Sequence, residues 1–405
     1  MGPVPRNSRA RPSRALRHSA AVGAVVSVVA LLAGCTAAPG SASPTVSCAV
    51  TSTADLVPHT GVLFGVNLDW GAETLAEFSG SGLRPAVAVS FSGLPMSADD
   101  RANVGAAAGQ VLANGGELLL TLEPRAGLAA ITPAVADNLG ALLGGLNNRG
   151  VPVVVRFAHE MNGSWYEWGQ QPTEYVAAFR RVADAVKRDA PGSAMMWAPN
   201  YGGGYPFAGG VYAAKPGTPD FTALDTDGDG TLTIRDDPYL PYYPGDDVVD
   251  WVGMSLYHWG SAYPWGEDEV PEPGKFAAQL TGTYAGLAGD ETATPDFYGV
   301  YGEGHGKPVA IPETAALVVS GGDPAQELAI KRAWWRQVFS ADTATRFPRL
   351  HMINWFEWEK YETEIGARVD WTLARSAAVR SAFLSDLPGW LIFGHPDESC
   401  AQKAG

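Results

Sequence analysis

Beyond its first twenty residues the 405-residue chain never gathers Lys and Arg on one face, and its 28 basic residues are outnumbered by 43 acidic ones, for a formal net charge of −15. Phosphate neutralisation dominates nucleic-acid binding, so a nucleic-acid partner is excluded. Charge of either sign is scarce at 18%, and hydrophobic residues reach 46%, which excludes a disordered chain. The longest apolar run, Ala20 to Leu32, falls short of the ~20 residues a spanning helix needs. No glycine fingerprint follows the first apolar strand, which speaks against a doubly wound open sheet, the alternative architecture. His159-Glu160-Met161-Asn162-Gly163 begins like the zinc motif H-E-x-x-H but lacks its second histidine, so no metalloprotease is indicated. Gly202-Gly203-Gly204 and Gly302-Glu303-Gly304-His305-Gly306 lack the strand-to-helix spacing of a phosphate cradle and read as loops.

Cysteine is nearly absent, and its three positions have separate readings. Arg6, Arg9, Arg11, Arg14 and Arg17 precede the apolar run, which ends in Leu32-Ala33-Gly34-Cys35. This resembles a bacterial lipoprotein signal with a lipobox: residues 1–34 are a signal peptide, and Cys35 is lipidated and becomes the first residue. The other reading is an uncleaved anchor; both put the folded body outside the membrane, on the extracellular face of the cell. Residues 35–50 form a flexible linker rich in Ala, Pro, Ser and Thr. Cys48 and Cys400 stand at the two ends of the remaining body, residues 51–400, in an oxidising compartment where they are expected to pair; the alternative is two free thiols.

Beyond residue 60 the pattern repeats as apolar strand, loop and amphipathic helix. Strands are expected at Val62–Leu68, Ala86–Phe91, Leu118–Leu122, Val153–Phe157, Ala194–Trp197, Val252–Leu256, Val309–Ile311 and His351–Trp355. Helices are expected at Ala98–Ala113, Pro133–Asn148, Thr173–Asp189 and Ala325–Phe339, with Ser97, Thr132 and Asp323 as caps. Near-continuous apolar strands alternating with helices need cover on both faces, and eight such units imply closure into a (β/α)8 TIM barrel.

In such a barrel the chemistry lies on the loops after the strands. Those positions hold Asn67, Asp69, Glu123, His159, Glu160, Asn200, Tyr257, Glu313, Trp355 and Glu357. Two carboxyl groups about 5 to 5.5 Å apart, flanking a scissile bond, are what retaining glycoside hydrolysis requires. Glu160 and Glu313 can point inward from two sides of the mouth. Glu123 with Glu160, or Glu313 with Glu357, would stand on one wall. Trp165, Trp168, Trp259 and Trp355 offer flat apolar faces to pyranose rings, although ordinary packing competes for each. His258 either reaches the cleft or packs beside strand six, and Glu357 and Glu359 either meet sugar hydroxyls or sit in a solvated loop.

The segment Arg156-Phe157-Ala158-His159-Glu160-Met161-Asn162-Gly163-Ser164-Trp165-Tyr166-Glu167-Trp168-Gly169 resembles the acid/base segment of glycoside hydrolase family 26. That family includes β-mannanases, mixed-linkage glucanases and β-1,3-xylanases. Val249-Asp250-Trp251-Val252-Gly253 and Lys307-Pro308-Val309-Ala310-Ile311-Pro312-Glu313 are similar to its strands six and seven. The resemblance implies Glu160 as proton donor, His159 and Arg156 as its neighbours, Trp165 lining the cleft, Glu313 as nucleophile and Tyr257 as the tyrosine bonded to it. Around Glu313 the chain departs from many relatives, with Pro312 before it and Ala315 two residues after. The expected activity is retaining cleavage of β-linked polysaccharide, endo-β-1,4-mannanase-like, by a monomer. A β-glucanase, a β-xylanase and a glycan-binding lipoprotein without turnover are the alternatives. Asn200 is expected to join the substrate contacts.

Asp225-Thr226-Asp227-Gly228-Asp229-Gly230-Thr231-Leu232-Thr233-Ile234-Arg235-Asp236 reproduces a twelve-residue calcium loop, with Asp225, Asp227, Asp229 and Asp236 as carboxylate ligands and Thr231 at the seventh position. A structural calcium-binding loop inserted after strand five is expected. Pro238 prevents a long exit helix.

Overall fold

The computed structural model describes residues 48–261, 265–287 and 289–396. The expected signal peptide of residues 1–34, Cys35 and Cys400 lie outside the described residues. Cys48 is disulfide-bonded.

The strands are β1 (Val62–Leu68), β2 (Val87–Gly93), β3 (Glu117–Glu123), β4 (Val153–Phe157), β5 (Ser193–Trp197), β6 (Trp251–Gly253), β7 (Val309–Thr314) and β8 (Leu350–Glu357). Each pairs in parallel with the next, and β8 pairs back onto β1, closing the barrel. Closure leaves none of these eight with an open edge. A short strand, Leu391–Ile392, adds to the entry of β1.

The helices between them start where side chains can satisfy free backbone N–H groups. Ser97 and Asp100 form a reciprocal box at the start of α1 (Ala98–Asn114), which ends at Gly115 in the left-handed conformation, φ 69°. Thr132 and Asp323 cap α2 (Pro133–Asn148) and α4 (Pro324–Val338), each with proline in the first turn; α3 (Pro172–Asp189) also opens on proline. Strand six is shorter than its apolar run. Only Val252 and Gly253 pair with β7, and the run then continues in isolated bonds, with Leu256 N–H donating to the Glu313 carbonyl at 3.0 Å. Pro312 in β7 has no N–H to offer a ladder.

Strand parity places the site. Leu63, Val87, Val89, Leu119, Val154, Ala194, Met196, Ala310 and Met352 fill the barrel interior as one cluster. Every second residue beyond them therefore faces inward, which brings Asn67, Phe91, Glu123, Arg156, Asn354 and Phe356 to the upper layer and mouth. The opposite rows pack under the helices, at about 1.5 to 3 kcal/mol per buried Leu, Val or Phe.

Candidate active site

The polypeptide leaves β4 in a strained turn. Ala158 and Glu160 have φ of 47° and 55°, the left-handed region that β-carbons disfavour. Neighbouring strands over-determine it: Ala158 N–H donates to the Leu122 carbonyl at 2.8 Å and Glu160 N–H to the Ala198 carbonyl at 2.9 Å. Glu160 is thereby aimed across the mouth from a fixed backbone. Its Oε2 accepts the Trp165 indole N–H at 3.1 Å. Burial, then the charge of Glu313, pushes its carboxyl up to about 7, against the opposing pull of Arg156, Ser255 and Trp165.

Glu313 stands on β7 with both oxygens occupied. Arg156 Nη1 donates to Oε1, and the Tyr257 hydroxyl donates to Oε2 at 2.6 Å. Arg156 is fully buried, and its Nη2 donates to Ser255 Oγ at 2.7 Å. Ser255 thus bridges the two glutamates' surroundings. The strand ladder shifts register at this point, between Ile353/Ile311 and Trp355/Thr314, which swings Glu313 into the mouth. The departure from the familiar residues around Glu313 coincides with this irregularity.

The aromatic residues divide by exposure. Trp165 is 38% exposed and meets Phe207 edge-on at 5.0 Å, so it presents a free face beside Glu160. Trp259 is half-buried against Tyr257 and Trp371. Trp168 and Trp355 are corrections. Trp168 is buried, gives its N–H to the His159 carbonyl at 2.7 Å, and lies stacked beneath Tyr166 at 4.4 Å, so Tyr166 is the ring nearer the mouth. Trp355 belongs to the outward row of β8, packs on Phe383 and donates to the Trp371 carbonyl. Neither can present a face to sugar.

His159 is buried against Phe91, Tyr166 and Trp168, and burial and Arg156 hold it well below the usual imidazole range, as a neutral ring. Asn200 is half-buried at the rim, where its backbone exchanges two 2.8 Å bonds with the Asn162 side chain. His258 is buried beside β6, with Nε2 against the Glu269 carbonyl at 2.8 Å. Tyr166 and Ser255 were not singled out by sequence; Tyr166 lies inside the quoted motif, and Ser255 is a small residue in an apolar run with no pattern to flag it.

The acidic loop after β5 brings ligand atoms of Asp225, Asp227 and Asp229 within 4.8 Å of one another. Asp225 Oδ2 accepts the Gly230 N–H at 2.9 Å, while its Oδ1 is buried without a partner. Asp236 does not join them. It is fully buried, and its oxygens accept the N–H groups of Thr226 at 2.7 Å and Thr233 at 2.8 Å, clasping the loop's two ends. Thr231 gives its hydroxyl to Asp229 at 2.6 Å.

Residues 125–202 match the family model described as glycosyl hydrolase family 26. Endoglucanase H of Acetivibrio thermocellus is 24% identical over 241 residues, which is 58% of this chain; the chain spans 20% of that longer protein. Among solved structures, the catalytic domain of the Bacillus sp. JAMB-750 endo-β-1,4-mannanase superposes with a TM-score of 0.54 at 18% identity, covering 88% of this chain and 94% of that one. A Cellulomonas fimi endo-β-1,4-mannanase double mutant also gives 0.54 at 18%, covering 88% and 77%. At such identities these likenesses speak for the barrel fold.

Proposed function

We propose that the chain is a member of glycoside hydrolase family 26, to whose model residues 125–202 match, and that it cleaves β-linked polysaccharide by double displacement, with Glu313 as nucleophile and Glu160 as acid and then base. The observation that carries this reading is the asymmetry of the two carboxyls. Glu313 has both oxygens aimed and held by Arg156 and Tyr257, as an attacking carboxylate needs. Glu160 has its pKa raised to about 7, so a proton is available for the departing oxygen. Attack by Glu313 on the anomeric carbon forms a glycosyl ester while Glu160 protonates the leaving oxygen. Glu160 then takes a proton from water, which attacks the same carbon and frees Glu313. Trp165, flanked by Phe207, would lie under the leaving sugar, since its indole N–H already touches Glu160.

A β-1,4-mannan is the substrate favoured by the mannanase likeness, and the name of the endoglucanase relative supports a β-glucan as the second reading. Hydrolysis of β-1,4-mannan, mixed-linkage β-glucan and β-1,3-xylan, with products followed by proton NMR, decides between them. The β anomer is expected first. Appearance of the α anomer first would mean inversion and refute double displacement.

The enzyme is proposed to act as a monomer, on the outer face of the cell membrane, held by lipid on Cys35. Cys35→Ser should release it, and unchanged membrane partitioning would argue for an uncleaved anchor. A structural calcium ion is proposed for Asp225, Asp227 and Asp229. Hard oxygen donors at that spacing suit it, and Asp225 Oδ1 is a buried acceptor that a cation would satisfy. Calcium should raise Tm and chelator lower it. Isothermal titration without binding up to millimolar calcium would remove the site.

A further inference from the structure

The mouth holds a third carboxylate that the double displacement does not use. Glu123 ends β3 on the inward row, two residues beyond Thr121, which is the ladder partner of Arg156. It is 7% exposed. Arg125, two residues on and itself largely exposed, donates from Nε to Glu123 Oε2 at 3.0 Å and closes a second bond from Nη2 to the same oxygen. Both bonds fall on Oε2. Oε1 therefore keeps its acceptor capacity, and with the side chain clamped it has little freedom to turn away. Glu123 also lies close enough to Glu313, Arg156 and Tyr166 for their charges to act on one another.

The two sides of Glu160 are unlike. Toward β5 stand Trp165 and Phe207, apolar faces suited to the departing sugar. Toward β3 stand Glu123 and Arg125, an acceptor and a donor fork. A leaving-group proton donor separates the two halves of a glycan, so the β3 side meets the half that becomes bonded to Glu313.

We propose that Glu123 is a specificity-determining residue, its free Oε1 accepting hydrogen bonds from ring hydroxyls of the sugar that becomes attached to Glu313, with Arg125 as the positioning residue that holds it. This rests on the glycosidase reading above for which sugar is meant, while the binding itself does not depend on turnover. A carboxylate built to accept from a hydroxyl is left unsatisfied by a sugar that lacks it, so discrimination against that analogue is its signature.

The test has a binding arm and a kinetic arm. In Glu160→Gln protein, affinities for cello- and manno-oligosaccharides are measured by calorimetry with and without Glu123→Ala, and with Glu123→Gln where the alanine variant does not fold. Removing one charge-assisted hydrogen bond should weaken the preferred oligosaccharide by about 10- to 100-fold. In protein with Glu160 intact, dinitrophenyl β-glycosides of the preferred disaccharide are compared with analogues deoxygenated one hydroxyl at a time on the glycone. The parent should penalise one analogue, and Glu123→Ala should lose that penalty, which a merely structural role would not produce. Arg125→Ala should lower the same penalty partway. Unchanged affinity, or a deoxy penalty that survives Glu123→Ala, overturns the proposal. Weakened binding in a protein whose parent hydrolyses nothing would uphold Glu123 and sink the hydrolase reading instead; no affinity for any of these glycans sinks both.

Discussion

Glu160 and Glu357 are both buried carboxyls just past or at the end of a barrel strand, and burial pushes both up to about 7. Their surroundings are opposite. Glu160 faces the mouth and receives the Trp165 N–H at 3.1 Å on one oxygen. Glu357 lies on the outward row of β8 and has spent both oxygens on the backbone, accepting the N–H groups of Leu373 and Ala374 at 2.7 Å each. Buried Lys331 pins the same loop by donating to the Thr372 carbonyl at 2.8 Å and to Asp370 at 3.2 Å. The loop carries Trp371, whose ring packs on Tyr257 at 5.3 Å. A raised pKa marks burial in both cases; what separates these two carboxyls is where the fold aims them, Glu357 into the backbone N–H groups of a loop and Glu160 toward the mouth beside Trp165.

The largest effects should separate the mouth from the flank outright. Glu313→Ala should lose on the order of 10⁴-fold or more on every substrate, including aryl glycosides with good leaving groups. Glu160→Ala should lose about 10²- to 10⁴-fold on polysaccharide, yet show a burst on a dinitrophenyl glycoside, with steady-state turnover accelerated by azide. Glu357→Gln should keep kcat within about tenfold, since it touches the reaction only through Trp371 and Tyr257. Equal losses in Glu160→Ala and Glu357→Gln, measured on one aryl glycoside, would erase the distinction.

The pH dependence sharpens it. The proposed double displacement requires a protonated Glu160 for its first step, so kcat/KM should fall on the alkaline side with a midpoint of about 7. Glu160→Gln should abolish that limb and Glu357→Gln should leave it in place. For stability, the folded state holds both protons more tightly than the unfolded chain, where the ordinary value is 4.5. The contribution is full below 4.5 and is lost as the pH climbs toward about 7. Unfolding midpoints across this window should decline with pH, and less steeply in Glu357→Gln; a steeper decline would contradict the assignment.

The smallest effect is on stability alone. Gln at position 357 keeps one acceptor and turns an amide toward a backbone N–H, so about 1 to 3 kcal/mol should be lost in denaturant titration. A loss below ~0.5 kcal/mol would mean that Leu373 and Ala374 find other partners.

Strand positions were legible because fully covered parallel strands are apolar along their length: Val62–Leu68 and Val153–Phe157 are found where their runs lie. The same property hid which row faces inward. Met352, Asn354 and Phe356 alternate with Ile353, Trp355 and Glu357, and neither row is polar enough to announce the mouth, so Trp355 and Glu357 looked as available as Phe356. In the loop after β4 no periodicity exists, because Ala158, Glu160 and Gln170 take positive φ, and nothing in the order of rings shows that Tyr166 covers Trp168. The calcium motif was plain as spacing, but Asp236 turned to the backbone instead, since a buried loop end must satisfy its own N–H groups.

Arg156 is sealed in the barrel with Glu313 as its counter-charge. A guanidinium does not lose its proton, so trimming Glu313 to Ala leaves a permanent cation and the Tyr257 hydroxyl facing a carboxylate-sized space. The disabled enzyme becomes a receptor for small anions. Formate or azide should raise its Tm where chloride does less, and azide seated there should attack the anomeric carbon of a dinitrophenyl β-glycoside, expelling dinitrophenolate, to give an α-glycosyl azide. An anion-blind Tm in Glu313→Ala would mean that the barrel relaxes around Arg156 rather than keeping the nucleophile's place open.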